Sequence, residues 1–319
     1  MAAVAETLCV AAVQMHPTLG DVEANCRAAE RLADEAFDRG ADWVVLPEFF
    51  TSGMAFHPSL LDAARPAKGE PAQLLQRLAE QHAGVVGGSF IALSGGNAVN
   101  RFVLAFPDGA TFSHDKDLPT MWENCYYRGG DDDGVLDTAR GPVGVAMCWE
   151  LIRSRTASRL LGRVDLVVGG TCWWDLPDLL VGPEMDALRA RNLEILAATP
   201  GTLARMLGVP LVHASNAGEF EGLMPGAPDQ PYRSRWLGET QIVDASGAIL
   251  ARRDWRQGEG LVFANVTPGR VEGAQAPIPD RFWIPELPDL LLQSWEDQNQ
   301  FGRDYYQNVT LPHRGPDRG

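Results

Sequence analysis

Three residues with reactive side chains each follow a short apolar segment of this sequence. Glu48 ends the run Trp-Val-Val-Leu-Pro-Glu, Lys116 follows the segment 110–113, and Cys148 ends the run Val-Gly-Val-Ala-Met-Cys. Short apolar runs of this kind are typical of buried strands. A thiol can attack an electrophilic carbon, a carboxylate can accept its proton, and an ammonium can stabilise negative charge. The three residues together predict covalent hydrolysis of a carbon–nitrogen bond, with Cys148 as the nucleophile.

Each of these residues also has a simpler interpretation, which the sequence leaves open. Most free cysteines are small buried hydrophobic residues. Glu48 precedes two phenylalanines, and burial there would raise its pKa and make it a useful base, but it could equally lie in a surface loop. Lys116 lies between Asp115 and Asp117, as in a solvated turn. The catalytic interpretation requires that the three side chains meet in the fold.

Further residues are candidates for supporting roles. Glu123, seven positions after Lys116, is predicted to orient that lysine or to accept hydrogen bonds from the substrate, unless it is a surface acid. The backbone N–H of Trp149, next to Cys148, is predicted to bind developing negative charge. Aromatic residues after strand-like segments are as often core as pocket wall. Three of them are candidates for substrate binding: Trp173, Trp174 and Tyr127.

The sequence predicts no metal site and no cofactor. Its six histidines lack HxxxH or HxH spacing, and no GxxxxGK[ST] or GxGxxG pattern is present. The aspartate-rich segment 129–134 is typical of a solvated turn. His213 could be the base of a Cys–His hydrolase, although a core histidine with satisfied hydrogen bonds is the commoner outcome.

The composition argues against several classes of partner. The 319 residues include 27 basic and 42 acidic ones, which gives a formal net charge of −15. Nucleic acids and anionic membranes need clustered lysine and arginine, so neither is expected. The five scattered cysteines, an N-terminus unlike a signal peptide and the lack of a long apolar run predict a reduced, cytoplasmic protein. A small molecule is the expected substrate.

The pattern of apolar residues predicts an α/β fold. A strand at 7–15, a helix that begins after Asp21 and ends at Gly40, and a strand at 43–46 form a strand–helix–strand unit. Similar segments begin at residues 39 and 163 and each opens a strand, which suggests two similar halves packed sheet against sheet. Further helices are predicted at 73–82, 151–161, 184–199 and 202–207, and strands at 85–93, 102–106, 143–147, 164–168, 211–215, 241–244, 249–252 and 261–266.

Taken in order, Glu48, Lys116 and Cys148 resemble the catalytic residues of the nitrilase superfamily of carbon–nitrogen hydrolases. The resemblance covers about residues 8–266. The segment from Lys116 to Glu123 is similar to nitrilases, whereas segment 47–53 is similar to amidases, so the branch stays open. Many members carry Pro-Glu six and seven positions after the cysteine, where this chain has Ser-Arg. Other motifs that carry the resemblance are 11–14, Asn100, 107–109, 148–150, 238–240 and 244–247.

The resemblance implies a four-layer α-β-β-α sandwich, with a carbon–nitrogen hydrolase domain at 1–266. The C-terminal extension at 267–319 is expected to be largely irregular and to pack on this domain or on a partner subunit. A homodimer or higher homo-oligomer is implied, as is a thioester intermediate on Cys148. An amidase is the first expectation, with a nitrilase and a catalytically silent binding subunit as alternatives. Arg153 and Arg155 are expected to be exposed helix charges rather than groups that bind a substrate carboxylate.

Overall fold

The computed structural model of the chain describes residues 6–271 and 275–315. The prediction that no signal peptide is present rests largely on residues 1–5, which lie outside this range. Residues 272–274 and 316–319 of the predicted C-terminal extension lie outside it as well. Within the described ranges, no helix combines the length and the apolarity that crossing a bilayer requires.

Thirteen strands form the central part of the molecule. They are β1 Leu8–Met15, β2 Trp43–Val45, β3 Arg65–Pro66, β4 Val85–Ser94, β5 Asn97–Ala105, β6 Thr111–Asp115, β7 Val135–Thr138, β8 Gly141–Met147, β9 Leu166–Thr171, β10 Leu211–Met224, β11 Ala227–Val243, β12 Ile249–Asp254 and β13 Gly260–Val266.

Six α-helices and several short helical turns complete the described structure. The α-helices are α1 Val22–Asp38, α2 Glu70–His82, α3 Ser154–Leu160, α4 Pro183–Leu207, α5 Asp289–Tyr305 and α6 Leu311–Arg314. The 3-10 turns are Pro58–Asp62, Met121–Cys125, Cys148–Ile152 and Trp255–Gln257, and a π-helical turn spans Tyr306–Thr310.

The strands form two similar halves, and within the described residues their only strand pairing with each other is a short one between β1 and β10. Neighbouring strands follow the order β6-β5-β4-β2-β1-β10-β9-β8-β7, with β13 beside β1, β3 beside β4, β11 beside β10 and β12 beside β11. β1, β2 and β4 are parallel to one another, as are β8, β9 and β10. β1 meets β10 only at Gln14 and Met15, which pair with Ser215 and Asn216.

The two halves pack face to face, and helices cover their outer faces. Val10 and Val168 belong to one buried cluster between the two sheets. Ala11, the next residue along β1, faces the helix layer of α1 and α2. Val167 of β9 faces the layer of α3 and α4 on the other side. Because successive strand residues point to opposite faces, this alternation produces the predicted four-layer α-β-β-α sandwich.

Three predicted helices have different bounds in the structure. The helix predicted at 151–161 begins later, at Ser154 of α3, because Arg153 has an extended backbone that separates α3 from the turn after Cys148. The two predicted helices at 184–199 and 202–207 are one continuous helix, α4, which contains Pro200. Gly201 permits this course, because a Cβ there would lie 2.7 Å from the carbonyl oxygen of Gly247. Gly201 therefore lets α4 pack closely on the turn between β11 and β12.

Two further predictions are wrong. The strands β10 and β11 are longer than predicted, and the C-terminal segment is not largely irregular. β10 and β11 continue as a long hairpin far beyond the predicted strands at 211–215 and 241–244. The C-terminal segment contains a seventeen-residue helix, α5, with further helical turns up to Arg314. Asn299 and Gly302 are the buried residues of α5, and both pack on the turn at Met121–Cys125. The tail thus folds onto its own chain.

Candidate active site

The three predicted catalytic residues follow strands whose ends lie together. Glu48 lies just beyond β2, Lys116 directly after β6 and Cys148 directly after β8. β2 and β6 run in the same direction, because two antiparallel pairings separate β6 from β4. All three side chains are buried, with exposed fractions of 1%, 0% and 1%. The sheet edges therefore bring together residues that are one hundred positions apart in the sequence.

Glu48, Lys116, Glu123 and Cys148 form one compact group. The Lys116 Nζ atom lies 2.8 Å from Glu48 Oε1 and 2.7 Å from Glu123 Oε2, and donates hydrogen bonds to both. One carboxylate oxygen from each glutamate and the Cys148 Sγ atom lie within 4.8 Å of one another. A nucleophile, a base and a cation therefore surround a common point.

Backbone and amide groups fix the position of Glu48. Its Oε1 accepts a hydrogen bond from Asn100 Nδ2 at 2.9 Å, and its Oε2 accepts one from the Cys172 backbone N–H at 3.0 Å. Asn216 Nδ2 donates to the Glu48 carbonyl oxygen at 2.7 Å. The sequence analysis had singled out Asn100 as part of a motif but had not assigned it this contact. These bonds hold the carboxylate in one orientation beside the thiol.

Burial governs the protonation of this group. Burial raises the pKa of Glu48 from 4.5 to about 7, against the opposing effect of the Lys116 charge. Burial alone would lower the pKa of Lys116, but the carboxylates of Glu123 and Glu48 outweigh it and raise that pKa above 10.5. Burial and the nearby Glu48 raise the pKa of the Cys148 thiol. The resting thiol therefore holds its proton and needs a base, and Glu48 titrates where a base is useful near neutral pH.

Cys148 occupies a sharp turn between a strand and a short helix. Its φ is 50°, a left-handed backbone conformation that residues other than glycine rarely adopt. The turn presents the sulfur at the end of β8 and starts the 3-10 helix Cys148–Ile152. The first backbone N–H groups of a helix have no carbonyl partner within the helix. Trp149 is the second residue of this one, so we expect its backbone N–H to be available as a hydrogen-bond donor. Strained turns of this kind are found at functional sites.

Glu123 binds Lys116 through one oxygen and leaves the other open. Its Oε2 accepts hydrogen bonds from Lys116, from the Thr120 backbone N–H at 2.8 Å and from the Tyr127 hydroxyl. Its Oε1 is buried and has no hydrogen-bond partner in the described part of the chain. This oxygen is available to a substrate N–H.

Cys148 lines a cavity beside this group. Its volume is about 150 Å³, close to that of an apolar cavity which holds a benzene-sized ligand at about 150 Å³. Trp173 and Trp174, both predicted as substrate-binding residues, lie in its wall. Tyr127 is not part of the wall, since its hydroxyl is bonded to Glu123. The lining residues are Met121, Cys148, Trp149, Trp173, Trp174, Asp175, Leu176, Pro177, Leu180, Asn192, Met224, Tyr232, Leu290, Leu291, Ser294 and Gln298.

A second buried network behind Cys148 was not predicted. Glu150 accepts hydrogen bonds from the Met147 backbone N–H at 2.9 Å and from the Asp117 backbone N–H at 2.9 Å. It therefore ties the end of β8 to the segment that carries Lys116. His114 lies between Glu150 and Asp132 and is bonded to both. No sequence spacing links residues 114, 132 and 150, so only the fold reveals this contact.

This network is expected to stabilise the protein in a pH-dependent way. Burial alone would lower the pKa of His114, but Glu150 and Asp132 outweigh it and raise that pKa from 6.5 to about 10. Burial alone would raise the pKa of Glu150, but His114 and Arg159 hold it well below 4.5. The histidine contribution is complete below pH 6.5 and is lost as the pH rises towards 10. The glutamate contribution is present above pH 4.5 and is lost on acidification.

We therefore expect His114→Gln to destabilise the protein more at pH 6 than at alkaline pH. Breaking a buried ion pair costs about 3–5 kcal/mol, so the loss near pH 6 should approach this size. Urea unfolding of the wild type and of the variant at pH 6 and at pH 9.5 measures the two differences. An equal difference at both pH values would contradict a charged His114 in the folded state.

Arg153 corrects a prediction, because it is fully buried rather than exposed. Its guanidinium forms an ion pair with Asp117, and its Cζ atom lies over the ring of Trp295, 5.2 Å from the ring centroid. Arg155 bonds Asp117 at 2.8 Å and is 45% exposed, as predicted for a helix charge. Asp117 follows Lys116 directly, so these pairs anchor the lysine segment. Arg153 is thus a structural residue, whose guanidinium binds Asp117 and does not line the cavity at Cys148.

His213 does not serve the site as a base. Its Nδ1 bonds the Glu239 carbonyl oxygen at 2.9 Å and its Nε2 bonds the Thr171 hydroxyl at 3.2 Å. Burial lowers its pKa to about 4. Both ring nitrogens are therefore engaged in the core, as the simpler interpretation had predicted.

Glu48, Glu123 and Cys148 are the only described side chains whose arrangement could hold a metal ion. Carboxylate and thiolate are ligands that Zn²⁺ accepts. The Lys116 ammonium, however, is already within 2.8 Å of both carboxylates and supplies the positive charge there. A cation placed among them would be repelled by Lys116, which favours nucleophilic over metal-assisted chemistry for this group.

Comparison with known proteins agrees with this arrangement. The family model described as carbon-nitrogen hydrolase matches residues 9–276. An N-carbamoylputrescine amidase from Arabidopsis thaliana is 30% identical over 140 residues, which are 41% of this chain and 47% of that protein. An omega-amidase, YafV, from Escherichia coli (strain B / BL21-DE3) is 28% identical over 136 residues, 42% of this chain and 52% of that protein. The match thus spans about half the length of these curated relatives.

A solved structure extends the similarity over nearly the whole fold. The carbon-nitrogen hydrolase from Helicobacter pylori G27 superposes with a TM-score of 0.67 and 17% sequence identity. The superposition covers 96% of this chain and 99% of that one. At this level of identity the likeness concerns the fold.

Proposed function

The chain belongs to the carbon-nitrogen hydrolase family, and we propose on this basis that it hydrolyses a small non-peptide amide through a thioester on Cys148. One observation carries the proposal. A thiol, two carboxylates and an ammonium lie within bonding reach of a common point at the end of a small cavity. An intact set of this kind also argues against a catalytically silent binding subunit, which has no need of all these groups.

Acylation starts with proton transfer inside the group. Glu48 accepts the thiol proton, and the Cys148 sulfur forms a bond to the amide carbonyl carbon. The carbonyl oxygen gains the negative charge, which the Lys116 ammonium and the Trp149 backbone N–H stabilise. Glu48 then donates its proton to the amide nitrogen as the carbon–nitrogen bond breaks and ammonia leaves. The acyl group remains on sulfur as a thioester.

Deacylation reuses the same base. Glu48 accepts a proton from a water molecule, whose oxygen attacks the thioester carbon. The carbon–sulfur bond breaks, the carboxylic acid is released, and the proton returns to the Cys148 sulfur. Glu123 keeps Lys116 in place throughout and offers its free oxygen to the substrate nitrogen. Every proton is therefore handled by groups of this chain.

A panel of matched amides and nitriles tests the proposal. We measure ammonia, acid and residual substrate for the full-length chain with each compound. Amide hydrolysis consumes one water per ammonia, whereas a nitrilase consumes two and accepts the nitrile directly. Turnover of nitriles without turnover of amides would replace the amidase proposal by the nitrilase alternative. If no compound is turned over and a thiol-directed acylating probe labels Cys148 no faster than Cys26, the proposal is wrong.

We expect the reactivity of Cys148 to follow the ionisation of Glu48. Because the pKa of Glu48 is raised to about 7, its carboxylate is lost as the pH falls below this value. kcat/KM should therefore decline on the acidic side with an apparent pKa near 7, which belongs to the coupled group rather than to one residue. Alkylation of Cys148 by iodoacetamide reports the same ionisation without turnover.

Glu48→Gln provides the control for this pH dependence. In this variant the thiol has no base, so its alkylation should be slow at neutral pH and should rise only at alkaline pH. An alkylation profile that is identical in the wild type and in the variant would rule out Glu48 as the base.

Two further features belong to the proposal rather than to the structure. We expect the protein to act in a reducing, cytoplasmic compartment, because the mechanism needs a free thiol and all five cysteines are unpaired. We also expect a homodimer or higher homo-oligomer, as the resemblance of the sequence implies. The chain then needs only its small-molecule substrate, without a metal or an organic cofactor.

A further inference from the structure

The C-terminal helix α5 forms one wall of the catalytic cavity. Leu291, Ser294 and Gln298 line the cavity together with Cys148. Their spacing of three and four positions places them on one face of the helix. The family match ends at residue 276, before α5 begins, so this wall lies outside the part of the chain that the family model describes.

Several specific contacts hold α5 against the site. Asn299 Oδ1 accepts hydrogen bonds from the Met121 backbone N–H and from Asn124 Nδ2, each at 2.8 Å. Gly302 allows a close approach, because a Cβ there would lie 2.6 Å from the Cβ of Asn124. Trp295 stacks on Trp149 at a ring distance of 5.3 Å and an angle of 13°. The helix is therefore docked on the turn that carries Glu123 and on the residue beside the nucleophile.

The cavity contains no unpaired charge among the described residues. Asp175 is the only acidic residue among the described residues that line the cavity, and no described lysine, arginine or histidine lines it. Its Oδ2 is paired with Arg235 at 2.7 Å, and Arg189 lies 4.0 Å from it. Tyr232 donates its hydroxyl proton to the Asp175 carbonyl oxygen at 2.7 Å. A charged substituent on the substrate would find no partner of opposite sign and would lose its hydration.

A buried side-chain oxygen on α5 is available to accept a hydrogen bond from a ligand. The Oε1 atom of Gln298 is buried and has no hydrogen-bond partner in the part of the chain that the structure describes. The remaining walls are mostly aromatic and aliphatic, with Trp174, Leu291 and Met224 among them. The cavity thus offers apolar contact, and α5 contributes two neutral hydrogen-bonding side chains to it, those of Gln298 and Ser294.

We propose that α5 is the specificity wall of this enzyme and that it selects amides with an uncharged acyl group of at most about benzene size. The apolar residues contact this group, and Gln298 accepts a hydrogen bond when the group carries a donor. The proposal rests on the proposed function, since it names the substrate class of the same site. It assigns a role to the segment that the sequence predicted to be irregular.

Matched pairs of substrates test the charge rule on the full-length chain. Succinamide and succinamate differ in one terminal charge, and butyramide and β-alaninamide differ likewise. We expect kcat/KM for each neutral amide to exceed that of its charged partner by about tenfold or more, since the charged group is buried without a partner. Preference for either charged amide would overturn the substrate class while leaving amide hydrolysis, and thus the proposed function, intact.

Substitutions on the two faces of α5 test the wall. Ser294→Phe fills the cavity and should lower kcat/KM for phenylacetamide relative to acetamide by about tenfold or more. Gln293→Phe is the matched control, because residue 293 is exposed on the same helix. Leu291→Ala enlarges the cavity and should change the ratio in the opposite direction. Equal effects on both amides, or equal effects of Ser294→Phe and Gln293→Phe, would overturn the role of α5.

A binding measurement separates this inference from the proposed catalysis. Cys148→Ala protein is titrated with phenylacetamide, and quenching of its tryptophan fluorescence reports binding beside Trp149 and Trp173. Adding Ser294→Phe should abolish the quenching, whereas adding Gln293→Phe should not. If wild-type protein hydrolyses no amide but these binding results hold, the wall stands and the proposed function fails. Binding that is unaffected by Ser294→Phe contradicts the wall whatever the turnover.

Discussion

Replacing Cys148 with alanine should reduce amide hydrolysis by about 10⁴-fold or more, to the level that binding and charge stabilisation provide without a nucleophile. The sulfur is the nucleophile of the proposed mechanism, in which Glu48 acts as the base and Lys116, bonded to Glu48 and Glu123, stabilises negative charge. The initial rate of ammonia release measures the loss. Mass spectrometry of quenched wild-type protein should show an acyl adduct on the peptide with Cys148, and the variant should show none.

The folded state should change little in this variant. Cys148 is a small buried side chain, and its replacement by alanine removes one sulfur atom. Cys26→Ala is the matched control, since Cys26 is also buried but packs in the helix layer of α1 and α2. We expect similar urea midpoints for both variants and full activity for Cys26→Ala. Substantial ammonia release by folded Cys148→Ala protein would exclude the thioester mechanism.

The meeting of Glu48, Lys116 and Cys148 was predictable because their positions depend on simple features of the chain. Short apolar runs before Glu48 and Cys148 marked buried strands, and strand ends are where α/β proteins place functional groups. The α/β layer structure was predictable for the same reason, since it follows from strand–helix–strand units, whereas the resemblance to the nitrilase superfamily implied the four-layer sandwich. A supporting role for Glu123 was also predictable, because the aromatic residues near it in the sequence indicated that its side chain is buried.

The sequence did not reveal contacts that arise only when distant segments meet. Arg153 resembled an exposed helix charge, because nothing near it in sequence indicates the buried pair with Asp117 or the overlying Trp295. The Glu150–His114–Asp132 network joins three segments whose spacing follows no motif. α5 is stabilised by its contacts with the turn at Met121–Cys125, which lies far away in the sequence. Because its own mixed composition does not reveal these contacts, the segment resembled an irregular tail.

The predicted domain boundary lies between elements that are in contact in the structure. The predicted division at residue 266 places α5 in a C-terminal extension. In the structure, α5 contributes residues to the cavity wall and bonds the turn that holds Glu123. A boundary drawn from sequence motifs therefore separates elements that share one site.

Replacing Lys116 with methionine should have the second large effect, on activity and on the protonation of the site together. The sequence has only two lysines, and Lys116 is fully buried between two carboxylates. Without the ammonium, Glu48 and Glu123 face each other in an apolar setting, and like charges in such a setting cannot both stay ionised. A proton taken up there removes the base, and the loss of one donor to the oxyanion costs about 10²–10³ in kcat. We expect a combined loss of at least about 10³-fold in kcat/KM.

A double variant separates the charge effect from the catalytic one. Lys116→Met leaves buried negative charge uncompensated, so the free energy of unfolding should fall by about 3 kcal/mol. Adding Glu123→Gln removes one of the two charges and should restore part of this stability without restoring activity, which is a coupling that a double-mutant cycle measures. Lys68→Met, at the only other lysine, is exposed and should change neither quantity. If Lys116→Met retains activity near that of Lys68→Met, the ammonium has no part in the chemistry and the proposed group reduces to a thiol and a base.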